Sequence, residues 1–599
     1  MDRNSAIGLT LIAALLLLYF YYFSPEPVPP PPATQAVTTE TSADSTAAPA
    51  STTPAVTDSL LTEQFGAVAP LAAGTEQETK VENADLALTF TNQGKLKVVE
   101  LKNFKTYYQQ PLLLLAPDTG TPQLLAQIDG RPVDLWQLFY QGSVRKTGDS
   151  TRVEYIANLN NGAFIKHIYT IPATGFKINY HIQTSRVTLT GDYLTYQWNS
   201  KLPLVEKDLT DSRNKTTINF YSAANGFDGL SETSQDVETE ALPATQWVAV
   251  RQKFFISSIL TNSQFTGGEV STRVNPADTA TVKEASVKVF IPSGEVTGNG
   301  ARLAFFFGPN DYSVIPDVAT EFSRNLYLGW PPVRWVNKYL IVPLFSALEG
   351  ITGNYGIIII ILVFIIKLAL APLSYKSYLG MAKMKLLKPE LDVIKEKYGD
   401  NMTQIQAEQM KLYQQAGVNP FSGCIPLLLQ MPFLFAMFYF FPVSIELRQE
   451  SFLWAEDLST YDSIINLPFT IPFYGSHVSL FVLLMTASQI VFQWQNNQLT
   501  AVQGPMKTMG YIMPVVFMFI LNNFAAGLSF YYFVSNLFTF AQQAIIKRFV
   551  DEDKIMRVMD EHKKKMAAGG GNGKKSSFMS KLEEAMKASQ EAKEKNKKK

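Results

Sequence analysis

The chain has 599 residues, of which 46% are hydrophobic and 12% aromatic, and its 52 lysines and arginines balance 52 acidic residues. This length is sufficient for several domains. A single cysteine, Cys424, excludes an intramolecular disulfide, and the four histidines, His167, His181, His477 and His562, are too scattered to form a metal site. We therefore predict no metal and no cofactor.

The first 78 residues combine an apolar run with a segment of low complexity. Residues 1–6 are a short polar start, and residues 7–23 are uncharged with no small-x-small cleavage site behind them. A cleaved signal peptide is the alternative, but the length of the run favours an anchor with a cytoplasmic N-terminus. Residues 24–78 are dominated by proline, alanine, threonine and serine, which predicts a disordered linker.

Residues 79–325 show the two-residue periodicity of strands. The alternating apolar residues include Leu86, Leu88 and Phe90, then Leu96 and Val98 after a turn, and later Ile178, Tyr180, Ile182, Val287, Val289 and Ile291. This pattern predicts a large antiparallel β-sandwich. The segment contains no nucleophile elbow, paired-carboxylate motif or phosphate loop, and a ligand cleft between its sheets stays open as an alternative.

Residues 329–350 mix tryptophan, tyrosine and leucine with Arg334 and Lys338. This composition predicts an amphipathic helix that lies on a membrane surface. The alternative is an ordinary helix that caps the β domain.

Residues 355–373 form an apolar stretch that is interrupted by one charge, Lys367. A transmembrane helix needs roughly 20 residues, so a span here must include the lysine. A central lysine costs about 2.5 to 3.5 kcal/mol, which the surrounding apolar residues can offset. Lys367 either extends to the nearer head groups or faces a hydrated cavity inside a bundle.

Residues 374–420 are polar and helical in pattern, with an interruption at Gly399 and Asp400, and they predict a helical hairpin. Seven lysines against five acids favour a cytoplasmic location. Lys383, Lys385 and Lys388 are candidates for a docking surface, and a plain solvated helix face is the alternative.

Four more spans are predicted at residues 425–445, 478–494, 508–524 and 528–546. An acidic loop at 446–476 and a polar loop at 495–507 separate them. With 7–23 and 355–373 they give six transmembrane helices, a five-helix core plus an anchor, with both ends cytoplasmic. The predicted fold class is a multidomain membrane protein that joins an α-helical bundle to an all-β periplasmic domain.

The tail, residues 547–599, is rich in lysine and contains a glycine-rich linker that no strand precedes, so it is not a nucleotide loop. We predict a basic disordered tail that binds an anionic partner, either ribosomal RNA or the anionic membrane leaflet.

Polar residues are spread over all five C-terminal spans. They are Lys367, Gln430, Thr486, Gln489, Gln493, Asn522, Asn523, Ser535, Asn536, Gln542 and Gln543. Such residues often only join helices to one another. Their number beside one lysine favours a hydrated groove that is open to the cytoplasm.

Several short motifs in residues 329–548 resemble the YidC/Oxa/Alb family of membrane insertases. They are Gly353-Asn354-Tyr355-Gly356, Met381-Ala382-Lys383-Met384, Asn419-Pro420, Gly423-Cys424, Pro426 to Pro432, Glu446-Leu447-Arg448, Asp457-Leu458-Ser459, Tyr531-Tyr532 and Val534 to Leu537. The N-terminal anchor and the β domain, with Trp247-Val248-Ala249, are similar to the Gram-negative version, whose periplasmic domain is a β-supersandwich.

The resemblance implies that a positive residue in the first core helix lies in a groove and draws the polar tail of an incoming protein part-way across. Bacterial members usually carry arginine there, and Lys367 keeps the charge without the bidentate fork. Tyr532 matches a family position that contacts the client, whereas Val363 stands where some relatives have threonine. The candidate groove and client contacts are Gln430, Gln489, Gln493, Tyr531, Tyr532, Ser535 and Asn536.

The resemblance implies a membrane protein insertase and chaperone, acting alone or with the Sec translocon and without nucleotide hydrolysis. The expected location is the bacterial inner membrane, and the expected partners are nascent membrane proteins, the Sec translocon, lipids and, through the tail, the ribosome. No small-molecule substrate and no enzymatic activity are expected. A transporter or channel is the alternative, although no inverted repeat supports it. A scaffold merely anchored in the membrane would leave five spans unexplained.

Overall fold

A computed structural model describes residues 61–159, 162–399, 401–419, 425–499 and 505–567. The predicted anchor, most of the linker and the tail beyond residue 567 lie outside this range. The linker prediction is wrong at its end, because residues 66–71 form a 3₁₀ helix and Phe65 and Val68 are buried against the β domain. Apolar residues at this end of the linker supply the burial that its composition as a whole lacks.

The β domain is built from nineteen strands that pair antiparallel throughout the described residues. In chain order they are β1 Glu78–Glu82, β2 Leu86–Thr91, β3 Leu96–Lys105, β4 Pro111–Leu115, β5 Pro122–Ile128, β6 Arg131–Asp134, β7 Gln141–Thr147, β8 Ser150–Asn158, β9 Phe164–Pro172, β10 Lys177–Ser185, β11 Tyr193–Pro203, β12 Thr217–Ser222, β13 Gly226–Gly229, β14 Glu238–Leu242, β15 Thr245–Arg251, β16 Phe255–Phe265, β17 Gly268–Arg273, β18 Thr281–Pro292 and β19 Ala301–Pro309. Two short helices, α1 Leu209–Asn214 and α2 Ser293–Thr297, connect strands.

The strands form three sheets. Their orders are β1-β2-β3-β4, β13-β12-β15-β16-β19-β10-β9-β8-β7 and β14-β17-β18-β11-β5-β6. The predicted alternation is observed in β2, β10 and β18, whose named apolar residues are buried. In β3 it shifts, because a bulge opposite Thr89 and Phe90 buries Val99 and leaves Val98 half-exposed.

The central strands of the nine-stranded sheet, β12, β15, β16 and β19, are largely buried on both faces. On one face, Phe305 and Phe307 of β19 pack against Tyr196 and Trp198 of the six-stranded sheet, with ring centroids 6.0 and 6.5 Å apart. On the other face, Phe306 packs against Phe322, and its neighbours join one continuous apolar core with the helices that follow. The sheet therefore links the sandwich core to the helical bundle.

The helices after the β domain are α3 Pro331–Val336, α4 Val342–Glu349, α5 Tyr355–Ala369, α6 Ala371–Leu386, α7 Lys388–Tyr398, α8 Met402–Gln415, α9 Ile425–Phe440, α10 Leu480–Leu499, α11 Pro505–Leu521, α12 Ala526–Phe549 and α13 Glu552–Ala567. A π-helical turn at Asn337–Ile341 joins α3 to α4, so the helix predicted at 329–350 is present. Its Val333, Phe345 and Leu348 are buried, while Trp335 and Tyr339 are 59% and 70% exposed.

The stretch predicted as one span at residues 355–373 is bent. Helix α5 ends at Ala369, and α6 continues at an angle of 62°. The prediction missed the effect of Pro372, whose nitrogen cannot donate to the carbonyl of Leu368. Within the described residues no single helix is both long and apolar enough to cross a membrane, and α5 and α6 meet that criterion only as a bent pair.

The segments that were predicted to be cytoplasmic also differ from their predictions. The first hairpin helix is interrupted at Leu387, which separates α6 from α7. The tail is ordered as α13 over Glu552–Ala567, so the prediction of disorder is wrong for this part. Ile555 and Met559, one helical turn apart, pack in a small apolar core with Met381 and Leu387.

Candidate functional site

Lys367 lies in the last turn of α5. The helix begins at a cap formed by Asn354, whose Oδ1 accepts a hydrogen bond from the Ile357 amide at 3.1 Å. Buried Ile358, Ile359, Leu362, Val363 and Ile366 fix one face of the helix against the bundle. This packing sets the direction in which the half-buried Lys367 side chain leaves the helix.

The ammonium of Lys367 is turned towards α12. Its Nζ donates to Thr539 Oγ1 at 2.9 Å, and that hydroxyl donates to the Ser535 carbonyl at 2.8 Å. Gln542 Nε2 lies 3.5 Å from the carbonyl oxygen of Lys367. No salt bridge to Lys367 occurs among the described residues. In this conformation the side chain of Lys367 is held against a neighbouring helix.

The same stretch of α12 bonds to α10 on its other side. Asn536 Nδ2 donates to Ser488 Oγ and to Gln489 Oε1, both at 2.9 Å. We call the set Lys367, Ser488, Gln489, Ser535, Asn536, Thr539 and Gln542 the polar seam. The seam joins α5, α12 and α10, and it holds one formal charge.

Sequence reasoning found most of the seam but missed Thr539 and Ser488. Hydroxyl residues are ordinary in apolar helices, so neither was conspicuous alone. Their spacing could have indicated Thr539, because Ser535, Thr539 and Gln542 follow one another at steps of four and three and therefore share one face of α12.

The other predicted contact residues lie at different places. Gln493 bonds to Asn497 at 3.1 Å and its side chain packs on Gly510 of α11, where a Cβ would collide with it. Gln430 is half-buried on α9. Tyr531 is 5% exposed and packs on Phe441, so it belongs to the core, whereas Tyr532 is half-buried beside it.

Two amides assigned to the groove region from sequence belong to the opposite end of the bundle. Asn522 donates to the carbonyls of Tyr474 and His477 at 2.9 and 2.8 Å, and Asn523 donates to the Tyr474 carbonyl at 3.2 Å. They fasten the loop that precedes α10 and take no part in the polar seam.

The predicted hairpin lysines have distinct surroundings. Lys385 forms an ion pair with Glu552 of α13 at 2.9 Å, while Lys383 is half-buried and Lys388 is exposed. A second pair, Lys563 with Glu390, and a contact between His562 Nδ1 and the Gln415 carbonyl at 3.0 Å also connect α13 to the hairpin. The tail helix therefore covers part of the surface that was predicted to be free for docking.

The β domain is attached to the loop after α9 by a second set of polar contacts, which we call the periplasmic joint. Arg448 Nε lies 2.9 Å from Glu206 Oε1, and Arg448 also donates to the Lys105 carbonyl. Lys253 Nζ donates to the Ser459 carbonyl at 3.1 Å. The Arg448 guanidinium stands over the ring of Phe255, 5.1 Å from its centroid.

Burial and charge compete within the joint. Burial raises the pKa of Glu206, against the opposing influence of Arg448 and Lys253. Burial also disfavours the charged form of Lys253, but the Asp211 carboxylate at 2.7 Å raises the pKa of this lysine above its usual value. The joint is thus a set of buried charges that depend on their partners.

The fold and the polar seam together define a class of protein, a β-sandwich domain fixed to an apolar helical bundle that carries a charged seam. A family model described as the 60Kd inner membrane protein matches residues 347–553, and a YidC periplasmic domain model matches residues 78–343.

Curated relatives match nearly the whole chain. Membrane protein insertase YidC of Amoebophilus asiaticus is 44% identical over 98% of this chain and 99% of the relative, and that of Cytophaga hutchinsonii is 43% identical over 98% of both. A crystal structure described as an active YidC insertase covers 81% of this chain and 96% of its own, at 20% identity and a TM-score of 0.33. The chain belongs to the YidC family, which consists of inner-membrane proteins with a periplasmic domain.

Proposed function

We propose that the chain inserts membrane proteins into the inner membrane and assists their folding, with the polar seam as the wall of a groove that receives the client. The observation that carries this proposal is the ammonium of Lys367, held inside an apolar bundle by the neutral hydroxyl of Thr539 at 2.9 Å. Membership of the YidC family favours insertion over the transporter or channel alternative.

The charge at Lys367 supplies the attraction for a polar client segment. Its bonded partner is a hydroxyl, which leaves the positive charge uncompensated by a carboxylate within the described part of the chain. An acidic tail entering the groove from the cytoplasm gains Coulomb energy there, because the interaction is stronger in a region of low dielectric than in water. Polar groups of Asn536 and Gln489 offer further hydrogen bonds along the same wall.

The apolar part of the client drives the rest of the reaction. Each leucine, isoleucine, valine or phenylalanine gains about 0.3 to 0.6 kcal/mol on entering the bilayer, so a full transmembrane segment offsets the transfer of one short polar tail. This account needs no nucleotide, metal or covalent step. The protein acts on its clients as a non-enzymatic insertase.

The proposed topology has six spans, with both termini and the lysine-rich hairpin in the cytoplasm and the β domain in the periplasm. The excess of lysine in residues 374–420 supports this orientation. The exposed Trp335 and Tyr339 of the α3–α4 segment support its position at the membrane surface. Nascent membrane proteins are the main partners, and the Sec translocon, the ribosome and lipids are the further ones.

The test measures insertion of clients that differ only in the charge of the N-terminal tail, in cells depleted of the native protein and supplied with variants. Lys367→Arg should retain activity. Lys367→Gln should impair the insertion of acidic-tailed clients. Lys367→Glu should reduce their insertion roughly tenfold, because a carboxylate at this position repels an acidic tail. Neutral-tailed clients serve as the internal control for folding. Equal insertion of both client types by Lys367→Glu would contradict the electrostatic role, and normal insertion after depletion would contradict the function itself.

A further inference from the structure

The loop between α9 and α10 contains an antiparallel hairpin, β20 Ile465–Ile471 and β21 Gly475–Val478. Residues 463–478 include no aspartate, glutamate, lysine or arginine. Four large apolar side chains are nevertheless exposed: Ile464 by 42%, Ile465 by 54%, Phe469 by 61% and Phe473 by 49%. Hairpins that face water usually carry charges along such edges, so an uncharged apolar hairpin indicates another environment.

The shape of the hairpin increases this exposure. Its register shifts between Asn466 and Ile471, so residues 467–470 have no strand partner opposite them and bulge outward. Phe469 lies within this bulge. Pro468 and Pro472 also remove two backbone donors, which lowers the number of polar groups that must stay hydrated.

The base of the hairpin is fixed to the start of α10. The Ile464 amide donates to the Val478 carbonyl at 3.0 Å. Just before it, Asp462 Oδ2 accepts hydrogen bonds from the amides of Leu480 and Phe481 at 2.9 and 3.0 Å. These bonds hold the base beside the first turn of α10.

The turn of the hairpin is fixed to the end of α11. Asn522 and Asn523 bond to the Tyr474 carbonyl, and the Tyr474 ring lies 5.4 Å from that of Phe519. Phe519 is two residues before the end of α11. Because both base and turn are tied at helix ends, the hairpin lies alongside them and does not project away from the bundle.

The exposed surface of α11 continues the same apolar band. Its Val515, Phe517, Phe519 and Ile520 are 38%, 47%, 36% and 39% exposed. In the membrane arrangement of the proposed function, on which this inference rests, that surface faces lipid. The contact between Phe519 and Tyr474 makes the hairpin an extension of it.

We propose that the hairpin formed by residues 464–478 is immersed in the periplasmic leaflet, with Ile465, Phe469 and Phe473 in contact with lipid. The occupant of this surface is therefore the acyl-chain boundary of the bilayer. Such an apolar, uncharged element beside the helix ends holds α10 and α11 at a defined depth.

The test uses the full chain in lipid nanodiscs, with Cys424→Ser as background and a polarity-sensitive fluorophore attached at Phe469→Cys. Lipids carrying a nitroxide near the head group should quench this label more strongly than lipids carrying it deep in the chain, and aqueous iodide should quench it weakly. Ser143→Cys, on the exposed strand β7, is the matched control and should respond only to iodide. Ile465→Cys and Phe473→Cys give the same readout if the first variant folds poorly.

A label at Phe517→Cys on α11 separates this inference from the proposed function. Quenching by nitroxide at 517 but not at 469 would overturn the immersion of the hairpin alone. Absence of nitroxide quenching at both positions would contradict the membrane arrangement as well. A label at 469 protected from both iodide and nitroxide would identify a protein or a second copy as the occupant, and would also overturn the proposal.

Discussion

The β domain and the tail helix α13 are both attached to the helical bundle, but their contacts differ in kind. In the periplasmic joint, the side chains of Arg448 and Glu206 are 3% and 9% exposed. On the tail helix, those of Lys385 and Glu552 are 40% and 50% exposed. Removing one partner of a buried ion pair is strongly destabilising, because it leaves a buried charge unpaired. An exposed ion pair contributes only about 0 to 1 kcal/mol to stability.

This difference indicates how the two ends of an insertase can divide their tasks. The periplasmic end holds the β domain and the bundle in one arrangement, because apolar packing and buried charges fix it. At the other end, α6, α7, α8 and α13 rest on a small core and on solvated ion pairs. Separating these helices from the bundle should therefore cost little free energy.

The largest expected effect comes from breaking the periplasmic joint. Arg448→Met leaves the Glu206 carboxylate buried without its partner and should lower the free energy of unfolding by about 3 to 5 kcal/mol. Thermal unfolding of the purified full chain measures this change. Arg152→Met is the matched control, since its pair with Glu154 is 46% and 25% exposed. Adding Glu206→Gln to Arg448→Met should restore part of the loss, and equal effects of Arg448→Met and Arg152→Met would contradict the comparison.

Acid should weaken the β domain through His167, which is fully buried in its core. Burial lowers the pKa of His167 to about 3, while the unfolded residue titrates near its usual 6.5. The unfolded state therefore binds more protons as pH falls from about 6.5 towards 3, and stability decreases on the order of a few kcal/mol over this window. Urea unfolding followed by β-domain signals at several pH values checks it.

The matched variant for this acid effect is His167→Gln, which cannot titrate. It should show a flatter dependence of stability on pH below about 6.5 and the same slope as the parent chain above that value. An identical slope in both proteins between pH 6 and 4, taken as roughly the centre of the window, would exclude His167 as the cause.

The smallest expected effect concerns the tail helix. Lys385→Ala should lower the free energy of local opening of α13 by about 0.2 to 1 kcal/mol at low salt. The effect should be smaller at high salt, because salt screens the ion pair with Glu552. Amide hydrogen exchange of α13 measures the change. Lys411→Ala removes a pair within α8 that does not reach α13, and so it serves as the control. A salt-independent effect of several kcal/mol would show that the contacts of α13 are as strong as those of the periplasmic joint.

The sandwich and the helical segments could be predicted from the sequence because each depends on local periodicity. Lys367 could be identified as a candidate because it is a charged residue within an apolar stretch. The predictions were wrong where a few residues determine the structure of a segment against its average composition. Pro372 bends a stretch that is apolar apart from Lys367, and Ile555 and Met559 order part of a tail whose composition is charged. The β-hairpin of residues 464–478 was not predicted, because the loop was described as acidic as a whole, although all its acidic residues precede Ser463. The hydrogen-bond partner of Lys367 depends on how α5 packs against α12. This packing cannot be predicted from a local sequence pattern.

The central strands of the nine-stranded sheet are buried on both faces, and this decides where the β domain can be cut. The two family models meet between residues 343 and 347, inside α4. The residues that cover Trp247 and Phe306, including Ile315 and Phe322, lie before that boundary. A chimera or truncation cut directly after β19 would therefore uncover the apolar face that carries Trp247 and Phe306, and we expect it to aggregate. An exchangeable periplasmic module must carry its covering segment with it.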